Sequence, residues 1–215
     1  MTGFVEPVNL TGERWVSLEP LTRELVPEIA ETALDVAPLW FTSAPTQATA
    51  KEWVGGRLAA QHPDTGLTFV VRSRDGRVIG SSSYCNVDPP NRRLEIGYTW
   101  YGQSVRRTGV NTETKLLMLG HAFDQLGCVA VEFRTHFFNS TSRRAIERLG
   151  AKLDGILRSH QLLADGSRRD TAVYSILDVE WPAVRNNLWF RLDRAGQPNA
   201  PVAPVIPTPP GAPSV

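Results

Sequence analysis

The sequence has few of the features that identify metal-binding, secreted or membrane-spanning proteins. It has two cysteines, Cys85 and Cys128, which lie far apart and outside any CxxC pattern, and it has no HExxH. Neither a disulfide framework nor a zinc site is therefore predicted. No stretch approaches the ~20 apolar residues that span a bilayer, and no basic start precedes an apolar run at the N-terminus. We expect a cytoplasmic protein with no metal and no membrane contact.

The chain also lacks an excess of charge of either sign. Lys and Arg number 23 and Asp and Glu number 22, a net charge of +1, which disfavours nucleic acid as a partner. Hydrophobic residues make up 41% of the 215 residues, enough for the core of one main domain. The basic residues are 20 arginines and three lysines, a balance typical of high-GC bacterial coding sequences rather than of a function.

Proline is concentrated at the C-terminal end of the chain. Pro198, Pro201, Pro204, Pro207, Pro209, Pro210 and Pro213 occur there without residues that could pack a core. This composition predicts one domain over 1–194 and an extended or disordered tail over 195–215. A PxxP ligand in the tail is an open alternative.

The remaining sequence alternates between patterns typical of strands and of helices. Strands are predicted over 14–19, 67–72, 78–83, 93–101, 129–135, 156–163 and 171–177, and helices after Pro20, over 46–61, 110–126 and 139–149, and near Glu180. Asp75-Gly76 and Asp165-Gly166 predict two hairpin turns, because both residues accept positive φ. The order predicts a mixed α/β (α+β) sheet covered by helices.

The strand over 93–101 is predicted to have two unlike faces. Leu94, Ile96, Tyr98 and Trp100 alternate with Glu95, Gly97, Thr99 and Tyr101, which is the period of a strand. Glu95 is therefore expected on the less apolar face.

The segment after this strand is suited to bind a phosphate. Arg106 and Arg107 precede Gly109 where the chain enters a helix, whose first turn offers unpaired N–H groups and a partial positive charge. A bare backbone at Gly109 allows close approach of an anion, so a bulky residue there is expected to abolish binding and leave the fold intact. Neither GxxxxGK[ST] nor GxGxxG occurs. The alternative to a phosphate site is that the two arginines only lie in solvent at the start of the helix.

Several motifs in the right order resemble the GNAT acyl-CoA N-acyltransferases, and within them the RimJ/RimL-like group. The matching segments are Leu94-Glu95-Ile96-Gly97-Tyr98, Arg106-x-x-Gly109-x-Asn111, Asn139-x-x-Ser142 with Ala145 to Ala151, and the closing hairpin from Asp165 to Ile176. Asn111 stands where most members have Gly or Ala.

The resemblance implies a fold and a co-substrate. The fold is a mostly antiparallel sheet of about seven strands, splayed between the fourth and fifth and flanked by helices. Acetyl-CoA lies in the splay, with its pyrophosphate on the N–H groups from Arg107 to Asn111. The implied contacts are Tyr98, Trp100, Arg106, Arg107, Thr108, Gly109, Val110, Asn111, Thr112, Asn139 and Ser142. A homodimer, common in the family, is left open.

The resemblance also implies roles in catalysis. Glu95 is the expected base that deprotonates a primary amine, and a backbone N–H between Tyr98 and Trp100 stabilises the oxyanion. The family tyrosine that protonates the thiolate is replaced by Ile146, which leaves Ser142 as the donor. Glu95 as a solubilising residue, and Asn139 and Ser142 as helix-capping residues, are the alternatives.

The acceptor is a protein N-terminus or a small-molecule amine. Trp40, Arg158 and His160 are candidates to contact it, although core packing or cross-strand charge pairs explain these residues nearly as well. An acyl-CoA-binding module without useful catalysis is the alternative function. A non-amine acceptor or a longer acyl chain also stays open.

Overall fold

Eight strands form one mixed sheet in the computed structural model, which describes residues 3–37, 44–163 and 165–195. The strands are β1 (Leu10–Thr11), β2 (Val16–Pro20), β3 (Leu67–Ser73), β4 (Val78–Asp88), β5 (Arg93–Tyr101), β6 (Ala130–His136), β7 (Lys152–Leu162) and β8 (Arg168–Leu177). Their order is β1-β2-β3-β4-β5-β6-β8-β7, and every neighbouring pair is antiparallel except β5 and β6. The predicted fold class is confirmed.

The two hairpin turns lie where the Asp-Gly pairs predicted them. Gly76 between β3 and β4 has φ +86° and Gly166 between β7 and β8 has φ +81°, values that favour glycine. These turns fix the register of both antiparallel pairs.

Helices cover both faces of the sheet. They are α1 (Val26–Ala33), α2 (Ala50–Ala59), α3 (Val110–Gly120), α4 (Ser140–Leu149) and α5 (Trp181–Ala195). The larger apolar core contains side chains of α3, α4 and α5, and a smaller core contains side chains of α1 and α2 against Val70, Val78 and Trp100. The sheet is therefore the middle of three layers, because apolar side chains on both of its faces are buried under helices.

Several boundaries differ from the sequence prediction. Strand β4 extends to Asp88 rather than ending at 83, α2 spans Ala50–Ala59 rather than 46–61, and β7 begins at Lys152 rather than at 156. The strand count is eight rather than about seven, because the two-residue β1 pairs with β2. A 3₁₀ turn, Arg23–Leu25, precedes α1, and Thr22 makes no side-chain cap. Helix α3 ends at Gly120 rather than at 126, and the chain continues in a π-helical turn over His121–Gln125. Helix α5 includes Ala195, whereas the rest of the predicted tail, 196–215, lies outside the described residues.

A buried carboxylate attaches α3 to β2. Glu113 is 1% exposed, and its two oxygens accept hydrogen bonds from the main-chain N–H groups of Arg14 (3.0 Å), Trp15 (2.6 Å) and Val16 (2.8 Å). Charged acceptors make the stronger protein hydrogen bonds, so Glu113 holds the first turns of α3 against the sheet.

Candidate functional site

The sheet opens between β5 and β6. The parallel ladder between them joins only Arg93, Leu94 and Glu95 to Ala130, Val131 and Glu132. Beyond these residues β5 stays paired with β4 as far as Tyr101, and β6 stays paired with β8 as far as His136. The two strands consequently diverge after Glu95. This is the splay predicted between the fourth and fifth strands, which are numbered β5 and β6 here because β1 was not predicted. Within the described residues, the facing edges of β5 and β6 have no strand partner beyond the ladder.

A bulge in β5 lies directly after the opening. Ser83 pairs with Gly97 and Ser81 with Trp100, so Tyr98 and Thr99 together oppose one residue of β4. Tyr98 has φ +50°, a conformation that non-glycine residues rarely adopt. The extra residue leaves Tyr98 about half exposed.

The bulge reverses the alternation of the side chains along β5. Leu94 and Ile96 belong to the larger core, whereas Trp100 is buried in the smaller one, with its ring 5.7 Å from that of Trp53 on α2. The expectation that Trp100 shares a face with Leu94 and Ile96 is wrong, because the inserted residue shifts the period by one.

A buried lysine on α3 fixes the bulge in place. The Nζ of Lys115 donates to Ser82 Oγ (2.7 Å) and to Thr99 Oγ1 (2.6 Å), and the two hydroxyls lie 2.8 Å apart. Burial lowers the pKa of Lys115 to about 7. Lys115 is not among the site residues predicted from the sequence. Its position inside the apolar repeat of α3 was the available signal.

The carboxylate of Glu95 lies where the strands separate. Glu95 is 7% exposed, so the alternative of a solubilising surface residue is wrong. Its Oε2 accepts a hydrogen bond from Asn86 Nδ2 (2.7 Å) and lies 3.5 Å from Arg134 Nε. Burial raises the pKa of Glu95, the bond from Asn86 and the charge of Arg134 oppose that rise, and the charge of Glu132 adds to it. A raised pKa suits a base that works near neutral pH.

A cavity of about 160 Å³ adjoins Glu95. Its lining residues are Arg57, Ala60, Gln61, Thr65, Gly66, Leu67, Thr68, Ser83, Tyr84, Cys85, Asn86 and Tyr98. Asn86, the partner of Glu95, therefore connects the cavity to the carboxylate. Cys85 lies beside Glu95 in the sheet register, and burial raises the pKa of its thiol. A neutral thiol is a poor nucleophile.

The loop before α3 presents unpaired backbone donors. It makes a 3₁₀ turn over Gln103–Val105, and Arg107 has φ +62°. Within the described part of the chain, these N–H groups have no hydrogen-bond acceptor: Arg107, Thr108, Gly109, Asn111 and Thr112. The N–H of Val110 bonds Thr108 Oγ1. The free groups converge on the start of α3, the arrangement that a phosphate requires.

The side chains at the start of this loop point to solvent, whereas Gly109 is buried beside Trp15. Arg106 and Arg107 are exposed, and Arg106 makes one long hydrogen bond to the Tyr101 carbonyl (3.5 Å). The loop residues implied by the resemblance, from Arg106 to Thr112, are therefore brought together, and their contact with acetyl-CoA stays a prediction.

Gly109 has a packing role that the sequence did not indicate. A Cβ at this position would lie 2.6 Å from Cε2 of the Trp15 indole, closer than real contacts allow. The expectation that a bulky residue at Gly109 leaves the fold intact is wrong, because the rigid indole already fills that space.

Asn139 and Ser142 lie together at the start of α4. Asn139 Oδ1 accepts a hydrogen bond from the N–H of Ser142 (3.0 Å), so Asn139 is the N-cap. No partner for the Ser142 hydroxyl is present among the described residues. Ile146 is buried in the core and supplies no proton. The free hydroxyl is consistent with the predicted role of Ser142 and does not test it.

Two of the three candidates for acceptor contact, Arg158 and His160, lie on β7 and have partners on β8. The side chain of Arg158 is 81% exposed and forms an ion pair with Asp170 (2.7 Å). This contact is the cross-strand charge pair that was the alternative to a role in acceptor binding. His160 is exposed, with Nδ1 3.1 Å from Thr171 Oγ1. Trp40 lies outside the described residues.

The described residues contain neither a group suited to hold a metal ion nor a membrane-spanning helix. Over 3–37, 44–163 and 165–195, no three His, Cys, Asp or Glu side chains are grouped so that they could hold a metal ion. In the same ranges no helix has both the length and the apolar character needed to cross a membrane.

Comparison with known proteins gives a family match and relatives. The family model described as an acetyltransferase (GNAT) domain matches residues 16–152. A Bacillus subtilis protein named "Putative ribosomal N-acetyltransferase YdaF" is 30% identical over 144 residues, covering 66% of this chain and 78% of that protein. These matches agree with the group that the sequence motifs resemble.

Solved structures share the fold. A GCN5-related N-acetyltransferase from Brucella melitensis is 32% identical, with a TM-score of 0.78 over 89% of each chain. RimJ from Mycobacterium smegmatis, solved in complex with CoA-disulfide, is 21% identical with a TM-score of 0.72, and covers 89% of this chain and 97% of its own. The second likeness shows the fold alone.

Proposed function

Because the chain belongs to the GNAT family of acyl-CoA-dependent acyltransferases, we propose that it transfers an acetyl group from acetyl-CoA to a primary amine. The acceptor is a protein N-terminus or a small-molecule amine, and the amine attacks directly in a ternary complex. One observation carries the proposal. The sheet separates after Glu95, so a buried carboxylate lies at the inner end of a gap whose outer end meets unpaired N–H groups at the start of α3.

Each group has a separate role in the proposed reaction. The unpaired N–H groups of the loop bind the pyrophosphate, and the unpaired edge of β5 after Glu95 faces the pantetheine arm. These groups are the N–H groups of Arg107, Thr108, Gly109, Asn111 and Thr112. Glu95 takes the proton of the attacking amine. A main-chain N–H in the bulge between Tyr98 and Trp100 donates to the oxyanion, and the hydroxyl of Ser142 donates a proton to the leaving thiolate.

The name of the Bacillus subtilis relative supports a protein N-terminus as the acceptor. An α-amino group has a pKa near ~8, so a carboxylate whose own pKa is raised can accept its proton at neutral pH. A lysine amine, at ~10.4, would need a stronger base.

The state of Cys85 supports direct attack rather than an acyl-enzyme. Its thiol lines the cavity beside Glu95, but burial raises its pKa, so the thiolate needed to take the acetyl group is disfavoured. Cys85→Ala should therefore keep its turnover, and intact-mass measurement after acetyl-CoA alone should find no acetylated protein. An acetylated Cys85 would overturn direct attack.

Thermal unfolding with acetyl-CoA, CoA and ATP side by side tests the donor first. A ligand at a hundredfold excess over Kd stabilises the native state by roughly 2.7 kcal/mol. Acetyl-CoA and CoA should raise Tm and ATP should not. Thiol release with N-terminal peptides and small amines then tests turnover. Binding of acetyl-CoA with no turnover of any amine would favour the binding module without catalysis.

A further inference from the structure

Two arginines beside the opening have no carboxylate partner among the described residues. Arg57 on α2 places its guanidinium 3.8 Å from the centroid of the Tyr98 ring and is part of no ion pair there. Arg169 on β8 donates from Nε to the hydroxyl of Thr171 (3.1 Å). Both side chains are half-buried. A half-buried guanidinium without a counter-ion is prepared to bind an anion.

The two arginines lie on different sides of the gap, Arg57 on α2 beside β4 and Arg169 on β8. Arg57 lines the cavity on the β4 side, together with Tyr98 and Asn86. Arg169 lies two strands beyond β5, and its charge is among the influences that lower the pKa of Glu95. An anion on the acceptor would therefore lie between the two guanidiniums while its amine faces the carboxylate.

The other charges near Glu95 are already paired. Arg93 and Arg134 both form ion pairs with Glu132, which lies opposite Glu95 in the sheet register. The charges that act on Glu95 are therefore those of two arginines, Arg134 and Arg169, and of one carboxylate, Glu132. An acceptor with further positive charges, such as a polyamine or a lysine-rich peptide, would be repelled.

We propose that the acceptor carries a carboxylate close to its reactive amine, and that Arg57 and Arg169 determine specificity by binding it. The inference rests on the proposed function and names its substrate class. The carboxylate belongs either to a free amino acid or to an acidic side chain near a peptide N-terminus, and both present the same group to the guanidiniums.

Pairs of acceptors that differ only in the carboxylate test the inference. The peptide Ala-Glu-Ala-amide is compared with Ala-Gln-Ala-amide, and alanine with alaninamide, for both kcat/KM and Kd in the presence of CoA. Charge-assisted hydrogen bonds to two arginines should give roughly a tenfold to hundredfold preference for the carboxylate in one pair. The pair that shows the preference identifies the source of the carboxylate.

Matched variants assign the preference to the two arginines. Arg57→Met and Arg169→Met should each lower the ratio of kcat/KM for the carboxylate-bearing acceptor to kcat/KM for its amide at least fivefold. An effect of either change on Glu95 or Tyr98 acts on both acceptors and cancels in this ratio. Arg57→Lys should restore part of the preference. Arg77→Met removes an exposed arginine at the β3–β4 turn and is the control for net charge.

The outcomes separate this inference from the proposed function. Equal use of both members of each pair, or a preference that survives in both variants, overturns the inference while acetyl transfer stands. If no acceptor is turned over, Kd is the readout, and equal or unmeasurable binding overturns the inference. Failure to bind acetyl-CoA would overturn the proposed function instead.

Discussion

Replacing Lys115 with methionine should change how the stability of the protein depends on pH. The lysine is 4% exposed, and burial lowers its pKa from 10.5 to about 7. Between these two values the unfolded chain binds a proton at this amine and the folded chain does not. Stability must therefore rise with pH through that window, because the unfolded state loses its advantage as its amine deprotonates.

The size of the effect follows from the two pKa values. One pKa unit corresponds to 1.36 kcal/mol, so the full shift is worth roughly 5 kcal/mol. From about pH 6 to about pH 9 the free energy of unfolding should rise by about 3 kcal/mol through this group alone. Methionine has a similar length, carries no charge and leaves Ser82 hydrogen-bonded to Thr99, so the variant should lack this contribution.

Urea unfolding of both proteins at each pH measures the difference. Subtracting the Lys115→Met curve from that of the natural protein cancels the other titrating groups, which both proteins share. Lys51→Met, an exposed lysine on α2, is the control and should give a curve parallel to the natural one. Parallel curves for Lys115→Met as well would refute the reasoning, because they would mean that the folded protein keeps this amine charged.

Three further substitutions test other contacts. Glu95→Gln should lower kcat/KM and remove the decline on the acid side of the pH–rate profile, because burial raises the pKa of the carboxyl and its base form is lost as pH falls; an unchanged profile would exclude Glu95 as the base. Glu113→Gln should lower the free energy of unfolding by roughly 3 kcal/mol in urea, since it weakens three bonds to a buried charge, and the exposed Glu52→Gln should have almost no effect. Gly109→Ala should destabilise by about 2 kcal/mol, because its Cβ would overlap Trp15; an unaltered Tm would show that the indole moves aside without cost.

Patterns formed by residues close together in the chain were enough to predict most of the fold. The Asp-Gly turns, the apolar repeat of α3 and the cap of α4 each depend on residues near one another in the chain, and each was found where predicted. The family motifs are local too, so the loop before α3 and Glu95 could be named in advance as candidates. Short-range signals of this kind need no knowledge of which strands become neighbours.

The bulge at Tyr98 could not be predicted in the same way. Nothing in the alternation of β5 indicates the extra residue, which exists because β4 and α3 together accommodate it. Lys115 reaches across from the helix to Ser82 and Thr99, and these contacts form only after the strand and the helix have packed. The face occupied by Trp100 followed from this tertiary contact.

The sequence by itself determined the elements, their turns and the family, and it indicated Glu95 and the loop before α3 as candidate site residues. The tertiary structure alone decided the environment of Glu95, where burial raises the pKa of the carboxyl and Asn86 and Arg134 lower it. It also decided that Arg57 stacks on Tyr98 and that Arg169 bonds Thr171, both without an ion pair among the described residues. The physical reason is distance along the chain. Burial and charge pairing are sums over residues that only the folded sheet brings together, so no local pattern contains them.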